Sequence, residues 1–539
     1  MEIEKEKDVL LIAIYSSDSM NHLEDIGICY IDSYLKKKGY NTFLLSTNMK
    51  KFDIEQIKKY NPKSIGFSLY MSNQQNVFEI ARQIKIILPK TYIFVGGPQA
   101  THKKAEILKV SSFIDFVIKG EGEITTSELI FHICNGKILE LRNIKGLLYR
   151  NGDEIIETPN RELISELDEL PPPSRNILTD NHLKIASVSM SRGCMSRCSF
   201  CSNGMMWKKW RTTSVKYSLD EIASLVNEHQ INLFNFIDNS LEDHGIEFLY
   251  DFANGIINRR LKIYYFANFR ADFIRIADDA LINRLKESGL CVCCVGLEAG
   301  NTADLKTYSK IAHLDENYQI VKLLKKHDIY ISPGFINFNP FSTLDRLAQN
   351  IEFLYNIGFA SYFYITTRYA SYGNVQLDNK IIFDNLHASN HYGYFFKDKK
   401  VERLFQYLNQ HLNVENWANI SYIWKINDEV MGMIYVQEQI AKNKYGEIIV
   451  AQIKDYRNKM FEIINNINEI NYLWIKELLI LAEKDSTQIE WDEVTSRYAS
   501  AKQIAFFKEK MFGLISRMTK FYIKNNCTDL LVSLGGNYN

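Results

Sequence analysis

The sequence predicts an α/β protein in three parts: a Rossmann-like doubly wound sheet, a partial (β/α)6 barrel and a C-terminal α-helical domain. Three observations predict it. From residue 8 to about 135, short β-branched runs alternate with amphipathic stretches. Six more strand candidates alternate with helical stretches between Ile185 and Thr366. From about Val401 to Asn525 apolar residues recur at three- and four-residue spacing with few prolines, as in Val401–Leu412 and Ala501–Tyr522. The expected divisions are residues 1–140 for the doubly wound domain, 141–180 for a linker, 181–378 for the barrel and 379–539 for the helical domain.

Strand candidates of the first part are Val9–Tyr15, Thr42–Leu45, Ser64–Leu69, Tyr92–Val95 and Phe113–Ile118. Ligands of such sheets bind beyond the carboxyl ends of the strands, where backbone N–H groups are unpaired. The third candidate runs into Ser68-Leu-Tyr70, the fourth into Gly96-Gly97-Pro98 and the fifth into Gly120-Glu121-Gly122. Glycines there let a large planar ligand approach the backbone. A hairpin-like stretch, Ile144–Ile156, and the stiff crossing Leu170-Pro-Pro-Pro173 follow.

The barrel candidates are Ile185–Met190, Leu233–Ile237, Ile263–Phe266, Cys291–Leu297, Ile329–Ile336 and Tyr362–Thr366. Barrel sites collect at strand carboxyl ends, which is where the polar segments after each candidate fall. The loop after Ile185–Met190 carries Cys194-x3-Cys198-x2-Cys201. Three thiolates hold a cubane iron–sulfur cluster while leaving one iron open to a substrate or cofactor. A zinc knuckle is the alternative, but it needs a fourth ligand, and neither His182 nor His244 stands at finger spacing.

Composition narrows the function. In 539 residues Lys+Arg and Asp+Glu both number 64, and without a basic run there is no field to hold nucleic acid. The apolar run Val9–Tyr15 is too short for a signal or membrane segment, so a cytoplasmic protein without a membrane partner is expected. Nine cysteines, three of them assigned to a cluster, argue against a disulfide framework in a reducing compartment. The 31 Tyr and 31 Phe are read as biased composition rather than as an aromatic cavity.

The stretch Ser191-Arg-Gly-Cys-Met-Ser-Arg-Cys-Ser-Phe-Cys201, with its aromatic Phe200, resembles the signature of radical S-adenosylmethionine (SAM) enzymes. With that motif behind them, the strand ends of the first domain resemble the cobalamin-binding domain of cobalamin-dependent radical SAM enzymes. The resemblance implies a 4Fe-4S cluster on Cys194, Cys198 and Cys201, and cobalamin against Ser68, Tyr70, Gly96, Gly97, Pro98, Gly120, Glu121 and Gly122. It further implies SAM near Phe200, Asp238, Asn239, Arg270, Asp272 and Glu298. Local readings stand beside these: Asp238 as a helix cap, Arg270 and Asp272 as a salt bridge. Cys291, Cys293 and Cys294 read as small buried residues, not as a second cluster. Asn337 and Asn339 are expected to face substrate, with Asn339-Pro340 as a turn and Thr343 as a helix cap for the competing reading.

One departure matters. The cobalt-ligating Asp-x-His-x-x-Gly of mutase-type domains is replaced by Asp18-Ser-Met-Asn-His22-Leu-Glu-Asp-Ile-Gly27, so cobalt without a histidine ligand is expected. His22 then reads as an ordinary residue near a helix start, with Asn21 or Asp25 as caps.

The implied activity is methylation of an unactivated carbon in a natural product or peptide, with the helical domain over the barrel mouth. An external electron donor such as flavodoxin or ferredoxin would reduce the cluster. Rearrangement or cyclisation with cobalamin, a cobalamin-free scaffold role for the first domain, and a non-catalytic iron–sulfur sensor or assembly partner are the alternatives. A tRNA methylthiolating enzyme is disfavoured, because the first domain holds only Cys29 and Cys134. Neither the substrate nor the oligomeric state is specified by sequence.

Overall fold

The computed structural model describes residues 7–15, 24–180, 185–371, 375–388, 393–411, 423, 429–484 and 486–531. The expectations for Asp18, Asn21 and His22 lie outside them. The chain divides into two compact units, residues 1–195 with 202–238 and 535–539, and residues 196–201 with 239–534.

The first unit is built on β1 (Val9–Ile14), β2 (Thr42–Thr47), β3 (Ser64–Ser68), β4 (Tyr92–Gly96), β5 (Phe116–Ile118), β6 (Leu147–Asn151) and β7 (Glu154–Glu157), in spatial order 2-1-3-4-5-6-7. β1 to β5 run parallel, with helices between them. Val-Leu-Leu-Ile-Ala-Ile is apolar throughout because β1 is covered on both faces: Leu10, Ile12 and Ile14 join one core cluster, and Val9, Leu11 and Ala13 the other. The order 2-1-3-4-5 reverses direction between β1 and β3, which puts the ligand crevice at their carboxyl ends.

Two predicted boundaries move. Phe113 to Asp115 lie outside β5, where the Asp115 carboxylate accepts from the Ile93 amide (2.7 Å) and sits 2.7 Å from Lys85. The hairpin expected in the linker forms as β6–β7, but it adds to the sheet antiparallel to β5. Beyond it, β8 (Ile185–Val188), β9 (Ser191–Arg192), β10 (Arg211–Thr212) and β11 (Leu233–Phe236) complete the strands of this unit. β8 pairs in parallel with β11, and β9 antiparallel with β10.

The second unit holds β12 (Tyr264–Arg270), β13 (Leu290–Glu298) and β14 (Tyr330–Phe335), which are parallel, and helices follow each. The sixth barrel strand does not form where expected: Tyr362–Thr366 is a helix. Its β-rich composition is overridden by packing. Tyr362 is buried edge-on against Trp474, and the Thr366 hydroxyl donates back to the Tyr362 carbonyl. A single parallel bridge, Phe338 to Arg368, stands in that position.

Long helices fill the tail, Glu447–Glu483 and Ala501–Lys524 among them. The helical domain is expected over the barrel mouth, and two of its helices pack elsewhere. The helix Met431–Lys444 packs on β12, β13 and β14, and a Cβ on its Gly432 would lie 3.3 Å from Val292 and 3.6 Å from Tyr330, in the amino-terminal halves of those strands. Arg457, Asn468 and Asn471 then tie Glu447–Glu483 to Asp328, Gly358 and Ala360. The tail residues so tied lie at the opposite end of the strands from Glu298. Among the described residues no helix is long and apolar enough to cross a membrane.

Candidate functional site

At the switch point, Asn73 joins the two strand ends. Its buried amide donates to the carbonyls of Ile14 and Ser68, both at 3.0 Å, while its oxygen accepts from the Tyr70 amide at 2.8 Å. Nothing in the sequence singled Asn73 out beyond its place at a helix start. The Tyr70 phenol donates to Asp25 Oδ1 (3.2 Å). Burial raises the Asp25 carboxyl, and the Ser68 and Tyr70 hydroxyls pull it back.

Gly97 has φ +94°, and a Cβ there would stand 3.3 Å from both the amide nitrogen and the carbonyl oxygen of Leu69. The Gly96 carbonyl accepts from the Leu69 amide and Pro98 opens the next helix, so this turn lies flat against the end of β3. Gly120, at φ +74°, borders open space: no atom lies within 4 Å of its added Cβ. Its amide donates to the Thr101 hydroxyl, which donates in turn to the Gly97 carbonyl. Ser68, Tyr70, Gly96, Gly97, Pro98 and Gly120 thus share one rim. The buried His102 imidazole, on the helix after Gly97, has no partner for Nδ1, and burial lowers its pKa.

Glu121 has a different role from the one expected of its side chain. Its carboxylate accepts from Arg192 (3.0 Å), Arg211 (3.0 Å) and the Ile164 amide (2.8 Å), and Arg192 also bonds Glu123 (2.6 Å). β9 and β10 place the two arginines opposite one another. Glu121 is therefore spent on holding the strand that leads into the cysteine loop. Gly122, the N-cap of Glu123–Cys134, packs under Ile31, where a Cβ would meet it at 2.9 Å.

Asp238, at the end of β11, acts on the same strand. Its two oxygens accept from the Met190 amide and the Ser191 hydroxyl. It is not the cap of the following helix, whose N-cap is Ser240; it fixes the chain three residues before Cys194. Gly193, at φ +99°, leaves no room for a side chain, since a Cβ would fall 2.8 Å from the Lys209 carbonyl oxygen.

Cys194 belongs to the first unit, Cys198 and Cys201 to the second. In the second unit the segment between the latter two is pinned from several sides. Ser199 donates from its amide to Tyr308 and from its hydroxyl to Thr307, and its carbonyl accepts from Leu377. The Phe200 ring meets Tyr308 edge-on at 5.5 Å, Cys201 donates to the Cys198 carbonyl, and the Ser196 hydroxyl lies 3.3 Å from the Cys198 sulfur. No disulfide links any of the nine cysteines. Among the described residues no three His, Cys, Asp or Glu side chains converge as ligands of one metal ion. A cubane makes a different demand, because each thiolate binds its own iron.

Tyr308 is held by a buried polar network. It donates to the Ile336 carbonyl and accepts from Asn339, whose amide also donates to Asp304; Asn301 and Asn350 complete the ring around that carboxylate. Asn339 is thus fully buried framework rather than substrate-facing, and Asn337 likewise donates to the Ile365 carbonyl. Both amide nitrogens are satisfied within the fold, while the Asn337 oxygen is buried without a partner. Thr343 does cap its helix, accepting from the Arg346 amide.

Asn239 begins the loop after β11, and Arg270 ends β12. The Arg270 guanidinium bonds both oxygens of Asp272 (2.9 and 3.2 Å), Asp243, and the Ser240 hydroxyl, so the local salt bridge expected as the competing reading is present. Glu242 is a third carboxylate beside the same guanidinium, 3.5 Å from Arg270 Nε. Burial pushes Glu242 up to about 7 against the pull of Arg270, and its Oε2 has no hydrogen-bond partner.

Glu298 ends β13 in the left-handed region, φ +64°, an uncommon conformation for a non-glycine residue. Its Oε1 lies 3.4 Å from the Lys310 ammonium. Sequence reasoning missed Lys310, which lies 12 residues on in a loop. Gly296 makes room, since a Cβ there would fall 2.8 Å from Glu298 Oε1 and 3.3 Å from Lys310 Nζ. Burial raises the Glu298 carboxyl and Lys310 draws it back. Cys291 and Cys293 are buried thiols, the former pushed up to about 12 by burial, in keeping with a packing role.

Comparison with known proteins places these features. Residues 14–130 match the B12 binding domain family model. The whole fold resembles the crystal structure of OxsB, a cobalamin-dependent S-adenosylmethionine radical enzyme, with a TM-score of 0.68 over 97% of this chain and 81% of that one at 17% identity. The fold is that of a cobalamin-dependent radical SAM enzyme, with a B12 binding domain over residues 14–130.

An uncharacterised methyltransferase of Pyrococcus horikoshii is 27% identical over 61% of this chain and 72% of its own length. The anaerobic magnesium-protoporphyrin IX monomethyl ester cyclase of Cereibacter sphaeroides is also 27% identical, over 57% of this chain; the aligned part spans about half, 52%, of the cyclase. The chain's residues fit the family's cofactors. The rim at the ends of β3 to β5 combines a flat Gly97 turn, open space at Gly120 and the orphaned His102 nitrogen; the cysteine loop offers three thiols and, beside its anchor, the buried Glu298–Lys310 pair.

Proposed function

We propose that this radical SAM enzyme methylates an unactivated carbon of a small molecule or peptide with the help of cobalamin. The observation that carries the reading is the coexistence, in one chain, of a B12-binding rim at the ends of β3 to β5 and a Cys-x3-Cys-x2-Cys loop anchored at Asp238 and Ser199. When bound, the cluster and SAM supply a carbon-centred radical by one-electron chemistry, and cobalamin supplies a transferable methyl group. Cys194, Cys198 and Cys201 would hold the cluster. Glu298 and the acidic surroundings of Arg270 suit SAM's ammonium group, and the β3–β5 rim would seat the corrin. The rest of the protein's task is positioning and exclusion of water, served by loops that side-chain hydrogen bonds hold in place.

The methyltransferase relative from Pyrococcus horikoshii favours methyl transfer. The cyclase relative supports a second reading, in which the same cofactors drive ring formation. A soluble one-electron donor such as flavodoxin or ferredoxin is the proposed partner for the cluster. Anaerobic purification with cobalamin, cluster reconstitution and reaction with SAM plus reductant test the proposal. Bound corrinoid together with S-adenosylhomocysteine and 5'-deoxyadenosine is the expected result. Deoxyadenosine with bound corrinoid but no S-adenosylhomocysteine, for each substrate tried, would favour cyclisation, and deoxyadenosine without bound corrinoid would refute the cobalamin part.

A further inference from the structure

The Lys310 side chain is only 3% exposed, and its contact with a carboxylate is a long one, 3.4 Å to Glu298. A buried ammonium this loosely satisfied has charge to spend on something else nearby. The chain around it shows where. Thr307 and Tyr308, two and three residues before Lys310, hold Ser199, the residue after Cys198. Lys310 follows directly in that turn, its amide donating to the Leu305 carbonyl. Burial lowers the Lys310 pKa, while Glu298 and, after it, the Cys198 sulfur raise it.

The pair is thus a buried dipole held in the turn that anchors the cysteine loop. It has little freedom to turn. Glu298 is locked at φ +64°, its carbonyl accepts from the Ile336 amide, and Gly296 and Gly334 close around its carboxylate. Holding a glutamate in that uncommon conformation is costly, and the surrounding hydrogen bonds must offset it.

We propose that Lys310 is a positioning residue of the cluster site: its buried positive charge makes a cluster on the Cys-x3-Cys-x2-Cys loop easier to reduce, and Glu298 keeps it in place and moderates it. Reduction adds one negative charge to the cluster. A cation in a poorly screened interior stabilises the reduced form, and nearby charge is one of the factors that set an iron–sulfur potential. The inference rests on the reading that the chain carries a cluster.

The test is an anaerobic redox titration of the reconstituted protein without SAM, followed by the electron paramagnetic resonance signal of the reduced cluster. Glu298→Gln, nearly isosteric, leaves the lysine uncompensated and should raise the midpoint potential. The double variant Lys310→Met, Glu298→Gln removes the dipole and should lower it, while Lys310→Arg should stay near wild type. Opposite shifts of the first two support the proposal. Potentials equal to wild type in both would overturn it while leaving the family reading intact. A wild-type protein that takes up no iron would overturn both.

Discussion

Gly97 sets the shape of the proposed corrin seat at the scale of a single residue. Its φ of +94° and the 3.3 Å approach to Leu69 leave the turn against β3 with no tolerance for bulk. Gly97→Trp should abolish corrinoid binding, measured by absorbance of the purified protein, while iron uptake stays at the wild-type level. Arg175 shows residue-scale electrostatics of another kind, since Glu24 and Glu221 share its guanidinium, all three buried. Burial first, with the second carboxylate adding, lifts Glu24 to about 7 although Arg175 opposes it. A carboxyl raised on folding stabilises the native state fully below its unfolded pKa, roughly 4.3, and that stabilisation is lost as pH rises through about 7. Glu24→Gln should therefore flatten the fall in stability between pH 5 and pH 8, by on the order of 2 kcal/mol, as read by urea unfolding at each pH.

At the scale of elements, apolar runs and glycine turns were the legible part. β1 to β4 and β11 to β14 fall within a few residues of their predicted bounds, because strands covered on both faces read as continuous hydrophobic runs. Tyr362–Thr366 misled for the opposite reason: β-branched and aromatic residues describe a buried surface as well as a strand, and Trp474, more than a hundred positions later, decided between them. The polar site residues divide in the same way. Motif spacing located the cysteines and Glu298, but not the partners that fold long-range onto them, such as Arg211 on Glu121 or Lys310 on Glu298. The helix Leu344–Asn356 gives a control. Thr343 caps it, and Thr343→Ala should cost about 1 kcal/mol in chemical unfolding without changing SAM cleavage.

For the whole molecule, the decisive question is whether the anchored loop works as a cluster site. Cys198→Ala should abolish both the cluster absorbance and 5'-deoxyadenosine formation; SAM cleavage undiminished in that variant would sink the radical SAM assignment. The tail was legible as helices from its spacing, but an amphipathic face does not say where each helix will pack. With Met431–Lys444 against the amino-terminal halves of β12 to β14, that helix reads as a stabiliser of the strands' closed end. The hairpin has a further consequence. A doubly wound sheet ending at β5 would show a row of unpaired backbone groups, and β6–β7 moves that margin outward to a strand of four residues with a glutamate at each end. So short and acidic a margin is a poor template for another chain, which guards the folded protein against edge-to-edge aggregation.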